Sequence, residues 1–468
     1  ILTNLFGFIY WFTISIIGGP TVLGYTSAII GLASLIGGVL NLGTNIGLQK
    51  FVGEAWGQQD RKKLSTYFWS TITFSATLYA AAGLTLAAIA LLGFSYKQFS
   101  PQAFLLCSLL VALNLNLNLN SFFTAILKTS IVALVTFIGN IARLATGITL
   151  VILGWEWIGA TLGYISGNAV TTAAYLVLCK NYAGTHITFC FRKVIEVLKA
   201  GVVYWLPNLA TLLGQWIGVL VLFGTTGALE TGAYYVAFMI SLAATGIGVN
   251  TAMILLPALS GLEDGRKRVC WSTIKLCYAL VLPLVFALIA YPWAPLKLLR
   301  QEYVSAANSL TVLLISSLPI IFITAVTSLL YAYNKYLKVL ALGTAVNAPR
   351  VLLYFILVPL YRGYGAALSY LAGSTIGFAA AAALSKNIGF NLQYKTLLYL
   401  TAVPLTLTAI THILLPAQWT IGIPLIAAAS YTTYLKLKLV TTSEAELILK
   451  TLPFNLSSKL KLLTKIIT

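Results

Sequence analysis

Two arginines lie in the middle of long apolar runs. Arg143 follows Asn140 by three residues and precedes Gly159, Tyr164 and Gly167. Arg350 follows Asn347 by three and precedes Gly365, Tyr370 and Gly373. The two sets are 207 residues apart at the arginines and 206 apart from Gly159 and Gly365 onward. One helix pair is therefore written twice, with a single loop residue of difference. An arginine at mid-membrane costs at least about 2.5–3.5 kcal/mol, so it faces a cavity or a partner. Its planar fork binds phosphate bidentately, which a point charge does not. No Asp or Glu falls within any apolar span. Two readings stand open. The arginines bond helix carbonyls and hold their lobes together, or they face a cavity between two similar lobes and bind an anion.

The other polar residues inside apolar runs are neutral amides. Asn114, Asn116, Asn118 and Asn120 alternate with leucines, so a regular helix puts Asn114 and Asn118 on one face. Asn41 and Asn45 lie near the end of an earlier run, and Gln215 stands beside Trp216 in a later one. These are the candidate sugar contacts, and Asn140 and Asn347 join the arginines as candidate substrate-binding residues. Amides suit sugar hydroxyls, and they equally suit hydrogen bonds between helices, worth roughly 0.6–2 kcal/mol each.

Enzyme chemistry is nearly absent. There are two histidines, His186 and His412, and no carboxylate pair within a span. No glycine-rich phosphate loop ending in Lys-Ser or Lys-Thr occurs, so no ATPase is expected. The five cysteines show no metal spacing and none lies in an outer loop, so neither a metal site nor a disulfide is expected. No cofactor is implied.

These residues must be positioned by membrane helices. Hydrophobic residues make up 59% of the 468 and charged residues 8%, against about 25% charged in soluble domains. Mean hydropathy is +0.92. Fourteen runs are long enough to cross a roughly 30 Å hydrocarbon core, the first at 2–18 and the last at 419–436. The net charge of +19 is distributed by side. With the amino terminus inside, 23 of 29 Lys and Arg fall on the inner side, so both termini are expected in the cytoplasm of a multi-pass cell-membrane protein. That distribution argues against nucleic-acid binding.

The duplication extends past the arginines. Gly24 and Tyr25 correspond to Gly232 and Tyr234, and Arg61–Lys63 to Arg266–Arg268, each after acidic residues. Six spans repeat as six, which places the pseudo-twofold axis along the membrane normal. The expected organisation is an N-lobe over 1–200, a C-lobe over 201–395, two added helices over 396–437 and a basic amphipathic cytoplasmic tail over 438–468. The N-lobe includes a linker over Lys180–Ala200 that reads as an interfacial amphipathic helix. In the tail, Ser443 and Glu446 form a capping box. Glycines four apart (Gly43 and Gly47; Gly159, Gly163 and Gly167; Gly373 and Gly377) are helix-packing positions. The sequence starts at Ile1 and not at Met, and span one is shorter than span seven, so several upstream residues are expected.

The chain resembles the polysaccharide-biosynthesis flippases of the multidrug/oligosaccharidyl-lipid/polysaccharide exporter superfamily. The resemblance rests on Gly19-Pro20 with Gly24-Tyr25, on Asn41-Leu42-Gly43, and on Lys50-Phe51-Val52-Gly53-Glu54. It continues through Trp205-Leu206-Pro207, Gly232–Ala237 and Tyr361–Tyr370. It implies two six-helix lobes around a V-shaped cavity open alternately to each side. It also implies a lipid-linked oligosaccharide on polyprenyl or dolichyl phosphate as the partner carried through, and a lipid-tail groove at spans thirteen and fourteen. The expected protein is a monomeric transporter in contact with membrane lipids rather than an enzyme. A cation-coupled multidrug antiporter of the same superfamily is the alternative, although its acidic groups have no counterpart in these spans.

Overall fold

The computed structural model describes residues 2–260, 264–437 and 439; side chains at 2–5, 254, 256–258 and 260 are left aside. Apart from 439, the tail over 438–468 lies outside the described residues, as does Glu263. The described residues are predominantly helical and hold no strand beyond one isolated bridge between Tyr96 and Phe99. In order, the helices are α1 (Leu2–Asn41), α2 (Thr44–Gly57), α3 (Arg61–Leu91), α4 (Pro101–Ala112), α5 (Asn116–Ala125), α6 (Thr129–Leu150), α7 (Glu156–Ala183) and α8 (Phe191–Thr226). They continue as α9 (Ala228–Ser260), α10 (Arg266–Ala290), α11 (Trp293–Leu299), α12 (Ala307–Ile315), α13 (Ser317–Ala332), α14 (Tyr336–Lys386), α15 (Tyr394–Leu414) and α16 (Trp419–Lys436). Among the described residues, ten helical stretches are long and apolar enough to cross a membrane.

Several of those stretches are interrupted. α1 breaks at Gly19, whose φ of 74° favours glycine, immediately before Pro20. Pro20 has no N–H, so it leaves the carbonyl of Ile16 without its helical donor. Arg300 supplies one, its Nε donating to Ile16 O at 2.9 Å and its Nη2 to Ile17 O at 3.2 Å. α6 passes into α7 through a π turn at Val151–Trp155. There Glu156 takes φ 42° and ψ −129°, and within α14 Arg362 takes φ 51° and ψ −132°. Glu156 and Arg362 are 206 residues apart. Gly19 and Gly227, 208 apart, have ψ of −175° and −177° at positive φ. Positive φ also recurs at Leu127 and Asn334. After its break, α14 restarts with the Gly363 N–H donating to Glu230 Oε1 at 3.2 Å.

Two compact units form. One comprises the residues up to Met239 with Leu296–Ser309 and Gly343–Gly373; the other takes Ile240–Pro295, Leu310–Leu342 and the chain from Ser374. In the first unit, Phe68, Phe122, Phe123 and Tyr175 are buried at the centre of an aromatic core, with Tyr175 stacked on Phe123 at 5.3 Å. Lipid tails are as apolar as the side chains, so packing depends on close approach. The glycines supply it: a Cβ on Gly43 would meet the Gly201 backbone, and one on Gly47 the Val197 carbonyl. In the second unit, α15 and α16 lean on α10. Thr408 donates to Phe286 O at 2.9 Å and Tyr431 to Leu280 O at 2.8 Å.

The linker differs from its expected form. Gly184–Cys190 is irregular, and α8 then runs unbroken from Phe191 into the membrane stretch. Nothing between Lys199 and Gly201 stops a helix, so the amphipathic turn is the first part of α8. It is tied to α3: Lys193 Nζ meets Glu196 at 3.0 Å and Tyr67 Oη at 3.2 Å, and Tyr67 donates to Glu196.

Candidate functional site

Both arginines lie in the first unit, and both stack on the tyrosine that the duplicated pattern supplies. Arg143 Cζ is 4.0 Å from the ring centre of Tyr164, and Arg350 Cζ is 3.7 Å from that of Tyr370. The neighbouring glycines permit this. A Cβ on Gly167 would stand 2.8 Å from Arg143 Cβ, and one on Gly373 would stand 2.8 Å from Arg350 Cβ. Side chains face their partners only because the helices carrying them nearly touch. A guanidinium over an aromatic face gains roughly 0.5–2 kcal/mol, and its edge stays free to donate.

The two sites differ in their amides. Arg350 is 4% exposed, and its Nη1 donates to Asn347 Oδ1 at 3.2 Å, while Asn347 Nδ2 donates to Gly343 O at 2.9 Å. Arg143 is partly exposed, and among the described residues it makes no ion pair and no hydrogen bond. The carbonyl-bonding reading required those bonds. Asn140, 5% exposed, leaves its Nδ2 without a partner in the protein.

Arg143 and Asn140 line a pocket of about 380 Å³ between α2, α5, α6 and α7. Asn45, Asn116, Asn120 and Asn168 join them, with Thr136, Thr171 and Tyr175 on the same wall. Of the expected amide contacts, Asn45, Asn116, Asn120 and Asn140 are therefore brought to Arg143. Asn168 was not anticipated from the sequence; its only signal is its place beside Gly167, on the helix face that meets Arg143.

The remaining candidates go elsewhere. The α4–α5 run passes through a 3-10 turn at Leu113–Leu115, and Asn114 and Asn118 both meet the face of α1 that carries Ala33, Gly37 and Asn41. Asn114 donates to Ala33 O at 3.3 Å. Asn118 is fully buried; it donates to Ser75 Oγ at 2.8 Å and accepts from Thr44 Oγ1 at 3.1 Å, beside Asn41. Asn41, Asn114 and Asn118 are thus engaged in tying α1, α2, α3 and α4–α5 together. Trp216 is buried against Gly31 and stacks on Tyr235 at 6.2 Å. From Tyr235 the rings continue through Trp11 at 5.0 Å to Tyr164 at 6.2 Å, and so to Arg143. Trp216 supports the arginine through this aromatic wall. Gln215, next to it, is partly buried. No group of three metal-ligating residues occurs among the described residues.

Comparison with known proteins agrees with this architecture. A lipid II flippase, MurJ, in an inward closed conformation superposes with a TM-score of 0.77 over 93% of this chain and 98% of its own, at 14% identity. An inward-facing multidrug-resistance MATE transporter of the MOP superfamily gives 0.62 over 82% and 94%, at 14% identity. A MOP-superfamily transporter from Pyrococcus furiosus, described as having a binding pocket of reversed polarity, gives 0.52 over 83% and 92%, at 16% identity. No curated protein matches the chain by sequence. A family model described as "Polysaccharide biosynthesis protein" matches residues 28–299, more than half of the chain. The chain, an all-helical multi-pass membrane protein with the fold of these transporters, belongs to that polysaccharide biosynthesis protein family.

Proposed function

We propose that this protein is a flippase, and not an enzyme, that carries a lipid-linked oligosaccharide from the cytoplasmic to the outer leaflet by alternating access. Its fourteen crossings are arranged as two parallel six-helix lobes, 1–200 and 201–395, with two added helices over 396–437 and both termini in the cytoplasm. The recurrence of the same backbone breaks and arginine–tyrosine–glycine geometry about 206 residues apart supports the repeat. It works as a monomer in the cell membrane.

The observation that carries the reading is Arg143. Its guanidinium is stacked on Tyr164 with its donors unspent on the protein, in a pocket whose other polar groups are neutral. Such a group has the charge and the fork geometry for a phosphate or pyrophosphate. Arg350 is its second-lobe counterpart, buried with Asn347 here, and takes the phosphate in another state of the cycle. An inside-negative potential drives the bound anion outward by about 2.3 kcal/mol per charge per 100 mV. Membership of a polysaccharide biosynthesis family and the fold shared with a lipid II flippase support a lipid-linked glycan as cargo. A pump for cationic drugs would need negative charge where this site is positive.

The test is reconstitution. Purified protein in liposomes should move a short-chain prenyl-diphosphate oligosaccharide between leaflets, faster with an inside-negative potential when loaded inside. Cationic-dye efflux driven by a cation gradient, with no lipid movement, would replace this reading by the antiporter.

A further inference from the structure

We propose that the amide-lined pocket beside Arg143 is a subsite for one uncharged sugar ring, the ring bonded directly to the substrate phosphate. This deepens the flippase reading and rests on Arg143 binding that phosphate.

The pocket has features that select its occupant. Asn140 is 5% exposed, and its Nδ2 has no partner in the protein. The amides of Asn45 and Asn168 also make no hydrogen bond among the described residues, yet both line the same space. Burying an amide without a partner costs about 1–3 kcal/mol, a cost that Asn140 carries, and the partly exposed Asn45 and Asn168 turn two more unspent amides to the same space. An acyl chain would leave every one of them unsatisfied. A cation is disfavoured, because no carboxylate lines the pocket and the Arg143 charge stands at its edge. That removes the pocket as a site for a coupling ion. A second anion gains nothing from the neutral amides that water would not give it.

Hydroxyl groups fit. Each both donates and accepts, and each amide offers two donors and an acceptor. A volume of about 380 Å³ is at the small end of ligand pockets, room for a single ring with its substituents and not for a whole glycan. Asn140 lies one helical turn before Arg143 on α6, and Asn168 on α7 follows the glycine that packs against Arg143. A phosphate held by Arg143 thus has its first sugar among the amides, while later sugars extend outside. The protein would read the reducing-end sugar closely and tolerate variation beyond it.

The full chain in lipid nanodiscs is titrated with farnesyl phosphate, farnesyl phosphoryl glucose and farnesyl phosphoryl N-acetylglucosamine. The variants are Asn168→Leu, Asn45→Leu and Arg143→Gln. The wild type should bind at least one sugar-bearing probe about tenfold more tightly than farnesyl phosphate. Asn168→Leu and Asn45→Leu should each erase most of that preference and bind farnesyl phosphate as the wild type does. If Asn168→Leu fails to fold, Asn45→Leu decides. A sugar preference that is absent, or intact in the variants, overturns the subsite; so does an equal loss for all three probes. Farnesyl phosphate binding unchanged in Arg143→Gln ends the phosphate reading instead, a separate result in the same titration.

Discussion

Substituting Gly167 by alanine tests whether the arginine sites depend on helix contact. A Cβ at Gly167 would sit 2.8 Å from Arg143 Cβ and 2.7 Å from Gly139 O; at Gly373 it would sit 2.8 Å from Arg350 Cβ and 2.5 Å from Val346 O. Ordinary contacts between such atoms are about 3.5–4.0 Å, so α7 must retreat from α6, and the two halves of α14 from each other, by roughly an ångström. The atoms involved are backbone or Cβ, which no rotamer change can move. Overpacking of this kind costs about 1–3 kcal/mol, or roughly 5- to 150-fold in the folded-to-unfolded ratio. Gly57, with nothing within 4 Å of an added Cβ, is the control. Thermal midpoints of the three alanine variants, measured by intrinsic fluorescence in one detergent, should fall for Gly167→Ala and Gly373→Ala and hold for Gly57→Ala. The first two should also bind farnesyl phosphate more weakly, since the displacement parts each arginine from the tyrosine ring it stacks on. Equal midpoints and equal binding across the three would refute the close approach and the geometry built on it.

Other outcomes follow from single contacts. Tyr164→Phe keeps the ring under Arg143 and should bind phosphate like the wild type, whereas Tyr164→Leu removes it and should bind roughly 2- to 30-fold more weakly, from a cation–π contribution of about 0.5–2 kcal/mol; isothermal titration separates the two. Asn118→Leu removes its hydrogen bonds with Ser75, Thr44 and Asn41 and should destabilise the protein by about 1–3 kcal/mol, while the affinity of the molecules that still fold is unchanged. Arg300→Ala strips the donors from the carbonyls of Ile16 and Ile17 and should lower the thermal midpoint, with Arg300→Lys recovering part of it; equal midpoints for wild type and Arg300→Ala would show that water serves those carbonyls as well.

The arginines, the helical class and the glycine contacts were legible in the sequence because each has a local cause. A charge in an apolar run is conspicuous, and small residues four apart share a face. The matching residues around Arg143 and Arg350 include Tyr164 and Tyr370 and Gly167 and Gly373, and the structure sets each of these against its arginine, a pairing that the sequence reading did not state. The asparagine run was harder. Reading it as one regular helix gave Asn114 and Asn118 a common face, and both do meet one face of α1, at Ala33 and Asn41, but there they tie helices together and do not line the pocket beside Arg143. Asn168 and the threonines of the pocket left no periodic trace, because the pocket exists only where α2, α5, α6 and α7 converge. The unequal exposure of Arg143 and Arg350 is likewise a property of tertiary packing that a shared pattern of matching residues cannot express.

The central claim is that the two arginines serve the cargo rather than the fold. The direct measurement is transport by the double variant Arg143→Gln/Arg350→Gln, scored in the same cells as the amount of folded protein in the membrane. Folded abundance close to wild type with export of lipid-linked glycan reduced at least about tenfold is the predicted result. Export at the wild-type rate would contradict the account, as would a loss of export no greater than the loss of folded protein.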